Sequence, residues 1–411
     1  MILSLKLFLI LTSVAITPIK CATCRFKLYD SQYCCEIFDA NVTEKNQPFD
    51  IIGEHLPGYS NTDVKRLNVA GSGILNFIPK AIFETFINLE VLSIWGVQLK
   101  EIHQETFQDC KLSSLHLDRN NIKKIPSKAF SGCPLLTVLS LYGNTIETVE
   151  DYAISELGLL KHLILSNNEL KTLPENAFAN LSELQNLDLD NNKIDHLPEN
   201  IFSTLGSLET LNLDRNSLVS IPPKLLSGCN SLKMFHASSN SISSIHPNTF
   251  NRHLIELIDL SQNNLKEIAP GTFQMLNHIK KIRLNSNHIS SLPNESFSGC
   301  ISQNLETIES VNISSNELTC EGLEALNLYD NELEIIHSNF FVNMTRLMAL
   351  NLSSNKISAI NRDMFKFLPK IEFLFLSNNT CTSKKFTNIK ESKIPKIEKS
   401  LEKCFNNYDE L

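Results

Sequence analysis

The chain has 411 residues, of which 42% are hydrophobic, enough to bury a sizeable core. Its formal net charge of −8 argues against a polyanion such as nucleic acid as the partner. No segment past the amino terminus has about 18 consecutive apolar residues, so no transmembrane span is expected.

Residues 1–21 read as a secretory signal. Lys6 is a weak positive start, and Leu7 to Ile16 is an apolar run too short to cross a bilayer. Cleavage is expected between Thr17 and Ala22. The 11 cysteines therefore enter an oxidising route, and cleavage after Cys21 leaves an even number. Residues 22–63 read as an amino-terminal cap, with Cys24, Cys34 and Cys35 as disulfide candidates.

From Val64 to Cys381 one pattern recurs about every 24 residues. Leu136-x-x-Leu139-x-Leu141-x-x-Asn144-x-Ile146 is its clearest copy. Copies begin at Val64, Leu89, Leu112, Leu136, Leu160, Leu184, Leu208, Leu232, Ile255, Ile279, Ile308, Leu323, Leu347 and Ile371. Position nine is Ser72 and Val97 in the first two, then Asn in every copy from Asn120 through Asn379. An asparagine amide both donates and accepts, so stacked copies predict a ladder that satisfies backbone groups where the chain leaves a strand. Positions one, four, six and eleven are aliphatic almost throughout. Position nineteen is often Phe, as at Phe107, Phe130, Phe178, Phe202, Phe250, Phe273, Phe297, Phe341 and Phe365. No repeat can bury these groups alone, but stacked neighbours build one continuous core.

The register breaks once. Ile279 and Ile308 are 29 residues apart, and Ile308 and Leu323 only 15. This reads as a bulge followed by a truncated turn, with a hinge or an error in the sequence as alternatives. Cys110, Cys133, Cys229 and Cys300 all fall at position 22, where other copies carry Leu. Each reads as a small buried hydrophobe, although adjacent repeats stack this position and would also allow a Cys110–Cys133 bond. Residues 382–411 read as a carboxy-terminal cap and tail. Cys381 and Cys404 are its disulfide candidates, and Ile394, Ile397, Leu401 and Phe405 are spaced for one helix face. Lys384, Lys385, Lys390, Lys393, Lys396, Lys399 and Lys403 read as a solvated helical face. Asp409-Glu410-Leu411 is similar to a lumenal retention signal, but Tyr408 replaces the usual Lys or His.

Glycosylation acceptors stand at Asn41, Asn180, Asn294, Asn312, Asn343, Asn351 and Asn378. Asn312 and Asn351 occupy position five, which faces the concave surface, so the binding region is expected nearer the amino-terminal half. There, strand logic exposes Trp95, the single Trp of the chain, although folding over the cap would partly bury it. Strand spacing of roughly 4.8 Å groups it with His116, Asp118, Arg119 and Tyr142. These include the residue types that dominate binding hot spots. A second group, Asp188, Asp190, Asp214, Arg215 and His236, is mixed in charge. His116, Asp118 and Ser140 suggest a triad, but a flat ladder offers neither a nucleophile elbow nor an oxyanion hole, so no enzyme is expected. Cys21-x-x-Cys24 has no partner pair, so neither metal nor cofactor is expected.

The repeat resembles the leucine-rich repeat of extracellular type over about four-fifths of the chain. That resemblance implies an α/β solenoid: a horseshoe of about 14 repeats with a parallel concave β-sheet and cysteine-containing caps at both ends. The run Cys24-Arg25-Phe26 through Tyr33-Cys34-Cys35-Glu36-Ile37-Phe38-Asp39 resembles the cap of arthropod secreted leucine-rich-repeat proteins, which include mosquito immune proteins acting with complement-like factors. Their long carboxy-terminal coiled coil has no counterpart here. The expected function is a secreted, extracellular scaffold that binds a protein or glycoconjugate on its concave face, with innate immune recognition as the analogy. The alternatives are a cell-adhesion or Toll- or chaoptin-like receptor ectodomain, and a binding factor of the ER lumen. Any cysteine left unpaired offers a route to an oligomer.

Overall fold

Four inward positions per repeat build the core. In the clearest copy Leu136, Leu139, Leu141 and Ile146 are each 0% exposed. The strands are short because alternation lets only a few residues present one face inward. Val138–Ser140 pairs in parallel with His162–Ile164, and that strand with Asn186–Asp188. This in-register pairing continues from Arg66–Val69 to Phe373–Leu376. A computed structural model describes residues 20–45, 47–250, 254–273, 276, 278–291, 322–342 and 344–411. The chain is a parallel-sheet solenoid of about 11 turns.

The asparagine ladder is as the repeat predicts. Asn168 Nδ2 donates to Leu141 O and Leu165 O, both at 3.0 Å, and its Oδ1 accepts from Ile146 N at 3.0 Å. Each rung thus ties its own turn to the one before it. Val97 has no amide to offer, yet Asn120 Oδ1 still receives the Val97 and Leu99 N–H groups. The first two repeats have strands without a rung.

Across the break in register the described strands pair directly. Lys281–Arg283 pairs directly with Ala325–Asn327. Asn331 Nδ2 donates to Leu284 O at 2.9 Å, and Asn331 Oδ1 accepts from Ile289 N at 3.1 Å. The ladder therefore passes straight from Asn287 to Asn331. The repeat expected at Ile308 lies outside the described residues, as do Phe297, Cys300, Asn294, Asn312 and Asn343. The solenoid has about 11 turns where about 14 repeats were expected.

Position eight turns each strand out of the sheet through a left-handed residue. The φ angle is 54° at Arg119, 58° at Asn167, 51° at Asn191 and 51° at Arg215. Gly143 and the asparagines adopt this conformation at little cost. On the convex side Phe107 packs on Phe130, Phe178 on Phe202 and Phe250 on Phe273, with ring centroids 5.5–5.9 Å apart.

The amino-terminal cap is a hairpin. Lys20–Tyr29 runs antiparallel to Gln32–Ile37, turning through Asp30 and Ser31 at φ 48° and 65°, the two positive angles that a tight hairpin turn requires. Gln32–Ile37 then opens the parallel sheet against Arg66–Val69. Cys24 bonds Cys35 across this hairpin. Cys34, a disulfide candidate, is corrected to a buried thiol: successive strand residues face opposite sides, and only Cys35 shares the face of Cys24. Burial pushes the Cys34 thiol up. The Cys381–Cys404 bond ties the far end.

Two further expectations are corrected. Cys110 and Cys133 are bonded, because stacking of position 22 brings their Cα atoms to 5.0 Å. Cys229 stays a buried hydrophobe whose Sγ donates to Phe202 O, and burial pushes its thiol to about 12. Lys384 and Lys385 are not helical. They lie in Lys384–Thr387, an antiparallel edge strand on Phe373–Leu376, where exposed lysines discourage edge-to-edge pairing. Two short helices, Ile394–Ser400 and Glu402–Asp409, then cover the last turn with Ile397, Leu401, Cys404 and Phe405 buried.

Replacing Asn168 with Ala leaves the buried Ile146 N–H without its acceptor, while Leu141 O and Leu165 O each lose one of two bonds and keep those from Asn144 and Asn192. Unpaired groups of this kind cost on the order of 1–3 kcal/mol. A urea titration should show an earlier midpoint for Asn168→Ala; an unmoved midpoint contradicts the ladder's role.

Candidate functional site

The residues expected on the concave face of the second to fourth repeats come together. Trp95 follows the Val91–Ile94 strand and is 52% exposed, so it does not fold under the cap. The Arg119 guanidinium carbon lies 5.9 Å from the Trp95 ring and 5.9 Å from the Tyr142 ring. Both distances fall within cation–π range. The backbone fixes this sandwich. Arg119 N donates to Tyr142 O at 2.7 Å, and Gly96 N donates to Asp118 O at 3.3 Å. Gly143 packs beside the arginine stem, where an added Cβ would stand 3.3 Å from Arg119 Cγ.

Asp118 is held from the next repeat. Its Oδ1 accepts from the Ser140 hydroxyl and, at 3.0 Å, from Tyr142 N. Ser140 therefore positions a carboxylate and is not activated by His116. The hydroxyl within reach of the imidazole is Ser114, whose Oγ lies 3.1 Å from His116 Nε2, a contact that sequence reasoning missed. His116 Nδ1 is 4.0 Å from Asp118 Oδ2, beyond hydrogen-bond reach. The Ser114 N–H is spent on Glu90 O at 3.2 Å, so the strand has no free donor there for an oxyanion. The period-two alternation that aligns Ser114, His116 and Asp118 was readable in the sequence.

The second group is more self-contained than its composition suggests. Arg215 binds Asp190 through two nitrogens, one at 2.8 Å. Asp190 is only 7% exposed. That pairing raises the already high pKa of Arg215. Asp188 accepts from Ser166 Oγ at 2.7 Å and from Asp190 N at 3.1 Å. Asp214 accepts from Ser238 N at 2.6 Å. Asp259, one repeat beyond His236, pairs with Arg283 of the following repeat at 2.7 Å. Burial raises the pKa of Asp214, and His236 beside it partly offsets that rise. Among the described residues no cluster of His, Cys, Asp and Glu could hold a metal ion, and no helix is long and apolar enough to cross a membrane. Of the glycosylation acceptors described, Asn41, Asn180 and Asn378 are exposed and Asn351 is half-buried on the sheet.

Two family models match the chain. The BspA type leucine rich repeat region matches residues 59–171, 100–233, 158–263 and 195–318, and a second leucine rich repeat model matches residues 321–380. No curated protein matches it. Among solved structures, a leucine-rich repeat protein of Leptospira interrogans is 27% identical with a TM-score of 0.64, over 84% of this chain and 83% of that one. The APL1 leucine-rich repeat domain is 22% identical with a TM-score of 0.63, over 94% and 92%. A chain of the Drosophila Toll–Spatzle complex is 19% identical with a TM-score of 0.62, over 81% and 47%. This chain thus spans about half the length of that one. The last two likenesses concern the fold alone.

Asp214 carries a testable electrostatic cost. Burial raises its carboxyl above the ordinary 3.8, against the Ser238 bonds and the nearby His236, while Asp259 adds to the rise. A carboxyl raised on folding contributes stability below its unfolded pKa and loses it as pH rises through its folded pKa. Asp214→Asn should therefore be more stable than the parent at pH 7, with the gain fading below pH 3.8. Urea midpoints at both ends test this, and a variant less stable at pH 7 contradicts it.

Proposed function

We propose that this chain, which belongs to the leucine-rich repeat proteins, is a binding scaffold whose concave face takes a protein or glycoconjugate ligand. The observation that carries the reading is the Trp95–Arg119–Tyr142 sandwich, built from consecutive repeats with the indole half open to solvent. Aromatic and arginine side chains held rigidly before contact lower the ordering cost of association. The second group, Asp188, Asp190, Asp214, Arg215 and His236, extends the contact surface as a polar rim. Backbone hydrogen bonds on both sides of the strands that carry the patch supply the rigidity.

Secretion is part of the proposal. The amino-terminal signal pattern supports it, and three disulfides among the described residues suit an oxidising compartment. Glycans at Asn41, Asn180, Asn351 and Asn378 are proposed with it. An innate immune role is proposed by analogy with the Toll–Spatzle complex, a hub in Drosophila development and innate immunity, one chain of which shares the architecture. Nothing in the site argues for catalysis: Ser114 lacks an oxyanion donor, and the carboxylate beside His116 is already engaged.

The test is capture of partners from insect-cell medium. The tagged parent chain and a Trp95→Ala, Tyr142→Ala variant are compared by mass spectrometry. Loss of a partner by the variant supports the concave patch. The same partners on both forms place binding on another face, and retention of the chain in the lysate contradicts secretion.

A further inference from the structure

Position eight is arginine twice on this face, and the two arginines have different neighbours. Arg119 and Arg215 share the same backbone, with φ of 54° and 51°. Each N–H donates to the position-seven carbonyl of the next repeat, Tyr142 O at 2.7 Å and Ser238 O at 2.9 Å. For Arg215, position seven of the preceding repeat is Asp190, and two guanidinium nitrogens bind its carboxylate. For Arg119 the same slot holds Trp95. An aromatic face replaces the counter-ion, and a second, Tyr142, covers the other side. Asp118 cannot substitute, because its Oδ1 is committed to Ser140 and Tyr142 N. Among the described residues no carboxylate lies within ion-pair distance of Arg119, whereas Arg215 and Arg283 each have one. The two rings hold the guanidinium in place and leave its charge uncompensated.

Resting on the concave-face reading, we infer that Arg119 is the receptor for a carboxylate side chain of a protein partner, which supplies the counter-ion that Asp190 supplies to Arg215. A guanidinium presents a planar fork that a carboxylate matches with two charge-assisted bonds, and the flanking rings supply apolar contact for the rest of the partner's residue. The surrounding charge favours a protein over a polyanionic glycan. A sulfated chain running along the sheet would meet Asp188, Asp190, Asp214 and Asp259 in the following repeats, and the whole chain carries a net −8. A partner with an isolated carboxylate avoids that repulsion.

Trp95 is the only Trp in the chain, so its fluorescence reports directly on the clamp. A blocked tetraglutamate peptide is titrated against the full chain, with blocked tetraglutamine and a heparin hexasaccharide as comparisons. The expected result is a saturable change in Trp95 emission with tetraglutamate and none with tetraglutamine. The response of Arg119→Gln should be weaker by about tenfold or more, with an unchanged urea midpoint. Calorimetry on Trp95→Asp, which restores the arrangement at Asp190 and Arg215, should show the same loss of tetraglutamate binding. No change with tetraglutamate, or an equal change in Arg119→Gln, overturns the inference. A response to the hexasaccharide alone overturns it in favour of an acidic glycan. If Arg119→Gln captures the same partner from medium while the Trp95→Ala, Tyr142→Ala variant loses it, the concave reading stands and the carboxylate receptor does not.

Discussion

Everything in this chain depends on a side-chain amide that can bond two turns at once. Each strand contributes only three or four residues, too few to hold a turn by itself. The rung amides supply what the strands lack. Asn144, Asn168 and Asn192 each donate to a carbonyl of the preceding turn and to one of their own. Buried carbonyls and N–H groups at the strand exits are costly without such partners. The same bonds recur across the long interval between Asn287 and Asn331, where Asn331 ties its turn to Leu284 and Ile289.

The concave surface follows from the same constraint. Once the ladder and the parallel pairing fix every turn, the outward slots become equivalent addresses one strand apart. Function is then written by which side chain occupies a given address. At Asp190 and Arg215 the occupants neutralise each other, and the carboxylate is nearly buried. At Trp95, Arg119 and Tyr142 they do not. One backbone therefore yields a closed ion pair in one place and an open, aromatic-lined cation in another. Position eight also explains the stem geometry: a left-handed residue throws the arginine sideways over its neighbours.

Much of this was legible in the sequence because inward positions allow few chemistries. The aliphatic columns, the asparagine ladder, the phenylalanine stack and the grouping of Trp95 with Tyr142 follow from period alone. What the period could not supply was distance or pairing. Position 22 is Leu157, Leu181, Leu205, Leu276 and Leu368 in other turns, so Cys110 and Cys133 look like hydrophobes until stacking sets their Cα separation. Cys34 and Cys35 are adjacent in sequence, and only strand alternation shows which one meets Cys24. The lysines after Cys381 have a charge pattern suited to a helix, yet Lys384 and Lys385 complete the sheet edge by backbone bonding. The Ser114 contact with His116 runs along one strand, between residues two apart, whereas Ser140 lies one repeat on.

The account's central claim is that the ladder holds an exposed aromatic–cation stack rigidly before any ligand arrives. Trp95 tests it without a partner, through acrylamide quenching and time-resolved anisotropy of its emission. An indole that the quencher reaches, yet that rotates only with the whole molecule until Arg119 is replaced by Ala, is the predicted result. An indole closed to the quencher, or one that spins freely in the parent chain, would contradict the claim.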